Sequence, residues 1–216
     1  MKRTRSLLFL ALAVSFTMAG ADDPAARLNS AVAVLNTITQ SGQGIPPDQI
    51  ASSDCIAVIP GFKKGAAVVG VGYGRGFISC RSNGKWSSPA AIALESGSVG
   101  VQLGGEEIDL VVLSLDKKRR ANLLSDRFAI GSDASAAWGN GKSAHGDANP
   151  QLLFYGHTKG AFAGFGLDGT TLKRDGSGNK ELYGKKLSNV EIVEGGVSVP
   201  EIARTFITKL TEASGR

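Results

Sequence analysis

Apolar positions in this chain follow two different periods. Between residues 24 and 41 they recur at three- and four-residue spacing, as Leu28, Ala31, Val32, Leu35 and Ile38. This predicts an amphipathic helix, ended by Gly42 to Pro47. Its polar face carries Asn29, Ser30, Asn36 and Thr37, and Arg27 is its one basic residue. The period then falls to two. "CIAVI" (55–59) reads as a short buried strand closed by a Pro60-Gly61 turn. "GVGYGRGF" (70–77) sets Gly70, Gly72, Gly74 and Gly76 at alternate positions of a long strand over 66–81. A strand places these four glycines on one face, and Val69, Val71, Tyr73, Arg75 and Phe77 on the other. Another backbone or an aromatic ring could press against the bare face.

Asn83-Gly84 signals a hairpin turn. Short strands are expected at 89–95, 99–103 and 108–115, then a helix over 117–124 with Asp116 as its N-cap. Residues 128–138 fit neither period cleanly. Residues 140–149 read as a polar loop, 152–155 and 161–167 as strands, and "DGSGN" (175–179) as a turn. Pro200 suits the first position of a last helix with Ile202, Ala203, Phe206, Ile207 and Leu210 on one face. No composition break divides the chain. The expected class is α+β: one domain with a mostly antiparallel, glycine-rich sheet, curled or barrel-like, and helices at both ends.

Charge changes this picture at the N-terminus. Lys2, Arg3 and Arg5 precede an apolar run from Leu7 to Met18, and Ala19-Gly20-Ala21 follows. That is the three-part pattern of a secretory signal peptide, with cleavage expected after Ala21. The run is too short for a membrane span. Three of the 24 basic residues and none of the 19 acidic ones leave with it, so the net charge falls from +5 to +2. A whole-molecule case for nucleic-acid binding then fails, and any basic surface must come from local clustering. For an exported chain (periplasmic or secreted), a disulfide between Cys55 and Cys80 is favoured over two buried thiols.

Catalytic and metal motifs fail on spacing. "GNGKS" (139–143) lacks the first glycine of a phosphate loop, because Ala136 stands there. Arg75 occupies the third glycine position of a dinucleotide turn. No serine sits in a G-x-S-x-G elbow. His145 and His157 have no nucleophile placed beside them, and a paired-carboxylate site at Glu107 and Asp109 would need a sugar cleft. Asp175, Ser177 and Asn179 alternate like calcium ligands, but Lys180 and Lys186 stand where an EF-hand needs glycine and glutamate. Two cysteines and two distant histidines offer no zinc spacing. No cofactor, metal or catalytic residue is expected. Basic residues cluster at Lys63-Lys64, at Arg75, at Arg81 with Lys85, and at Lys117, Lys118, Arg119 and Arg120. The last cluster opposes the helix dipole, which suggests a use for it.

The stretches "CIAVIPGFKKGAAVVGVGYGRGFISCR", "GKWSSPAAIALESGSVGVQLGGEEIDLVVL", "LLSDRFAIGSDASAAWG", "KGAFAGFGLDGTTL" and "LYGK" resemble, in order, the SYLF family of lipid-binding domains. The resemblance implies a non-enzymatic domain that binds phospholipid, phosphoinositides in eukaryotic members, some of which also bind actin. Lipid binding there is tied to a basic N-terminal helix, and the helix here has only Arg27. The expected partner is an anionic phospholipid or membrane surface, held by Lys63, Lys64, Arg75 and Lys117 to Arg120, with a lipid tail against the glycine face. An envelope protein is the alternative partner.

Overall fold

The computed structural model describes residues 23–40, 44–66, 69–99, 104–130, 136–138, 151–158 and 169–215. The expected signal peptide, the 140–149 loop and the 161–167 strand fall outside them. Helix α1 (Pro24–Gln40) and the short α2 (Pro47–Ser52) precede five strands: β1 (Cys55–Ala66), β2 (Val69–Ser82), β3 (Lys85–Trp86), β4 (Ala90–Val99) and β5 (Gly104–Ser114). A 3-10 turn (Lys117–Arg119) leads into α3 (Arg120–Leu123). Strands β6 (Arg127–Ala129), β7 (Ala136–Trp138), β8 (Leu152–Thr158) and β9 (Thr170–Arg174) follow. The chain ends with α4 (Gly176–Tyr183), α5 (Asn189–Glu194), a 3-10 turn (Glu201–Ala203) and α6 (Arg204–Ala213).

The strands form one sheet in the order β6-β9-β4-β2-β1-β5-β8-β7, with β3 paired to β2. Every pairing is antiparallel except β7 with β8. The sheet curls into a half-barrel, and the chain is a single α+β domain with helices at both ends. Alternation gives the sheet two apolar faces. Ile56, Val58, Phe77, Val111 and Leu113 face α1 and α6, where they meet Leu28, Leu35, Phe206 and Leu210. Ala57, Ile59, Ile78, Leu110 and Phe154 face the other way, with Leu123, Phe128, Ile192 and Val193. Burying both faces is what makes the sheet a solid support.

Several local expectations change. Pro60-Gly61 is a bulge inside β1 rather than a turn. Between Ile59 and Phe62 the chain spends one residue more than β5 does between Leu110 and Ile108. Gly61 takes φ +56° there, and Pro60 has no N–H to lose from the ladder. The strands expected at 89–95 and 99–103 begin as one strand, β4, and 100–103 lie outside the described residues. "DGSGN" is the start of α4 rather than a free turn, with the Asp175 side chain accepting from Gly178 N. Pro200 caps a 3-10 turn, and Ile202 is exposed instead of joining the buried face. Helices α2 and α5 have too few residues to show a period. The Asn83-Gly84 hairpin is present, with φ 51° and 79° at its two residues. Asp116 does cap the turn after β5, accepting from Lys118 N.

Candidate functional site

The glycine alternation has its answer inside the protein. A Cβ on Gly72 would stand 2.4 Å from the ring of Phe62, and one on Gly74 would stand 2.7 Å from Ile59 and 2.9 Å from Phe62. One on Gly76 would stand 2.0 Å from the backbone oxygen of Val58. The neighbouring strand β1 fills this face, so a lipid tail has no room on Gly72, Gly74 and Gly76. The side-chain surroundings of Gly70 and Lys64 lie outside what is described. Glycine lets β2 lie close under β1, and the bulge at Pro60-Gly61 returns Phe62 to the same face as Ile59.

The bulge has a second effect. It turns Lys63 towards the helix side of the sheet, where β1, β2, β5 and β8 run past the cover of α1. A groove of about 890 Å³ opens there. Its sheet wall carries Lys63 from β1, Tyr73 and Arg75 from β2, Glu107 and Asp109 from β5 and His157 from β8, and its helix wall includes Arg27, Ser30 and Val34. Cross-strand register puts Lys63 opposite Tyr73 on one side and Glu107 on the other, and Asp109 opposite His157. The Asp109 carboxylate accepts from Gly61 N at 2.8 Å and so holds the bulge. Tyr73 in the groove and Val71, two residues away on the same face of β2, are 51% and 62% exposed, both large for apolar side chains on the inner strands of a sheet.

Arg75 and Arg27 converge on one carboxylate. Arg75 reaches Asp175 at 2.6 Å, and Arg27 reaches it at 3.4 Å from α1. Burial raises the Asp175 pKa, but hydrogen bonds from Gly178 N, Ser177 and Arg75 outweigh it and hold the carboxyl below its usual value. Arg27 is buried and also stacks over Phe77 at 5.7 Å. The only basic residue of α1 thus faces the protein, not a membrane. The calcium-like residues have other work: Asp175 joins the two arginines, and Asn179 accepts from Ala91 N and donates to Asn189.

The basic run at 117–120 lies at the opposite end of β1 and splits in two. Lys117 and Lys118 are exposed. Arg119 donates to Gln151. Arg120 holds the buried Asp54 at 2.5 and 3.0 Å and donates to the Arg81 carbonyl. Hydrogen bonding to Asp54, against the cost of burial, keeps its guanidinium above the usual value. Cys55 and Cys80, directly opposite in register, form a disulfide beside this pair. Arg81 stacks on Trp86 at 3.8 Å and donates to Ser214. Sequence spacing could not separate exposed from tied cations, because their partners lie far along the chain.

A family model described as "Las17-binding protein actin regulator" (Ysc84) matches residues 95–213. The chain belongs to this Ysc84, or SYLF, family. It is 29% identical over 177 residues to "Protein YSC84" of Saccharomyces cerevisiae, covering 78% of this chain and 38% of that one. It is 30% identical over 168 residues to "SH3 domain-containing YSC84-like protein 1" of Xenopus laevis (74% and 50%). The protein of that name in Rattus norvegicus is 29% identical over 179 residues (76% and 52%). The chain therefore spans about half or less of the length of these relatives. No solved structure matches it. The SYLF resemblance seen in the sequence holds at the level of family and fold.

Proposed function

We propose that this SYLF domain is a non-enzymatic module that docks on anionic phospholipid, and that it does so as an exported protein after cleavage behind Ala21. The observation that carries this reading is the exposure of Val71 and Tyr73 on one face of β2, with Tyr73 directly opposite the exposed Lys63 in the groove. An apolar pair beside a cation suits the boundary between headgroups and acyl chains. Covering a valine fully is worth about 1.5–3 kcal/mol, and each cation near an anionic surface adds about 1 kcal/mol. The docking element is then the end of the sheet and not α1.

The second reading is a protein partner in the cell envelope on the same surface. It is supported by the relatives' names, which describe Las17-binding and actin-regulating proteins. Flotation of residues 22–216 with liposomes separates the two. Binding to phosphatidylglycerol-containing but not phosphatidylcholine liposomes, reversed by salt and weakened by Tyr73→Ser and Lys63→Gln, supports the lipid reading. No flotation under any condition moves the assignment to the protein partner.

A further inference from the structure

The groove is electrically polar along the sheet. At the β2 side, Arg27 and Arg75 both reach the carboxylate of Asp175. Lys63 on β1 supplies a positive charge to the groove. On β5, Glu107 and Asp109 supply two negative charges to the same groove. Lys63 and Glu107 stand directly opposite in register, yet neither makes an ion pair with a described residue. Two unspent charges of opposite sign therefore face one cavity from backbones one strand spacing apart, roughly 5 Å. The cavity is of the size that small ligands occupy.

We propose that this groove binds a zwitterion that carries a phosphate and a primary ammonium, the chemistry of an ethanolamine phosphodiester. This rests on the lipid-docking reading above: the anionic surface draws the domain in, and the groove then selects a net-neutral zwitterionic headgroup within that surface. The phosphate would lie on Lys63 with Arg75 behind it, and the ammonium on Glu107 with Asp109 behind it. Ordinary bond lengths put phosphorus and nitrogen in such an ester roughly 5 Å apart, matching the spacing of the two poles. A primary ammonium can donate to both carboxylates, whereas a trimethylammonium cannot donate and wants several rings around it. On the sheet wall of this groove Tyr73 is the one phenol ring and the His157 imidazole the other aromatic ring, too few to cage a trimethylammonium. The site should therefore tell ethanolamine from choline. The ester could come from a lipid headgroup or from a free glycerol ester.

The test titrates the protein with glycerophosphoethanolamine and with glycerophosphocholine, by NMR shifts of residues in β1, β2 and β5. In parallel, flotation compares phosphatidylglycerol-phosphatidylcholine vesicles with and without phosphatidylethanolamine, so that the anionic surface that docking requires is present in both. The expected result is binding of the ethanolamine form over the choline form in at least one of the two assays. Binding of the free ester names the soluble source as sufficient, and binding of vesicles alone names the headgroup. Glu107→Gln should weaken ethanolamine binding about tenfold, the loss of one charge-assisted hydrogen bond. Glu107 is exposed, so this variant should keep its fold, and Lys63→Gln provides an independent second probe at the other pole. Equal treatment of the two headgroups, no binding of either, or an unchanged affinity in Glu107→Gln would overturn the proposal. Its failure is separable from that of the docking reading: binding to phosphatidylglycerol vesicles that depends on Tyr73 but not on Glu107 would leave docking standing and remove only the headgroup choice.

Discussion

Asp175 shows how much one side chain can carry. It caps α4, holds Arg75 on β2 and holds Arg27 on α1, with only 7% of its side chain exposed. Asp175→Asn would remove the carboxylate that Arg75 and the buried Arg27 both reach. Breaking a buried pair in this way costs about 3–5 kcal/mol, and a lowered urea midpoint for the variant is the expected readout. The pH dependence follows from the direction of the shift. The folded carboxyl titrates below the unfolded one, so its stabilisation is complete above about pH 4 and is lost as pH falls through the lower native value. Acid unfolding of the variant should therefore be less steep than that of the parent. Gly76 makes a second case. A methyl group there would meet the Val58 carbonyl at 2.0 Å. Backbone cannot swing aside as a side chain can, so Gly76→Ala should cost at least the 1–3 kcal/mol typical of overpacking. Gly97, with nothing within 4 Å of such a methyl, should tolerate the same change, as thermal unfolding would show.

At the scale of elements, β1 and β2 form the spine of the sheet, and two devices fix their register. The disulfide joins Cys55 and Cys80 at one end, and the bulge with Phe62 locks the other. A cross-link closing a loop of 25 residues stabilises by about 3 kcal/mol on the chain-entropy view. Denaturation in urea with and without reductant should show a loss of that size. Gly61→Ala would place an L-residue at φ +56° and crowd Glu107 at 3.1 Å. It should cost about 1–2 kcal/mol and should also move Lys63, which follows directly on the bulge strand. Helix α1 meets the sheet through Leu28, Ala31, Leu35 and Ile38 and sends its only cation inward. It serves as one wall of the groove.

For the whole molecule, the question is which end meets a surface. Lys63 and the Arg120–Asp54 pair lie at opposite ends of β1, roughly 25 Å apart at strand rise. A flat surface that covers Val71 and Tyr73 then leaves Lys117 and Lys118 away from close contact, beyond a Debye length of about 10 Å at 0.1 M salt. Neutralising Lys117 and Lys118 should change liposome flotation much less than Lys63→Gln or Tyr73→Ser. The opposite order would place the docking surface at the disulfide end. With the cleavage proposed above, a net charge of +2 is too small to dominate either outcome.

The class, the long glycine-alternating strand, α1, the Asn83-Gly84 hairpin, the Asp116 cap and the family are legible along the chain alone. These rest on period, turn chemistry and several long matching segments, all of which are local. The assembled sheet was needed to show what fills the glycine face, since Phe62 reaches it from another strand by way of a bulge. It also decided which cations are tied: Arg75 and Arg120 have partners 100 and 66 residues away along the chain. The groove is of the same kind. Its charges come from three strands and a helix, and only their register brings them to one cavity.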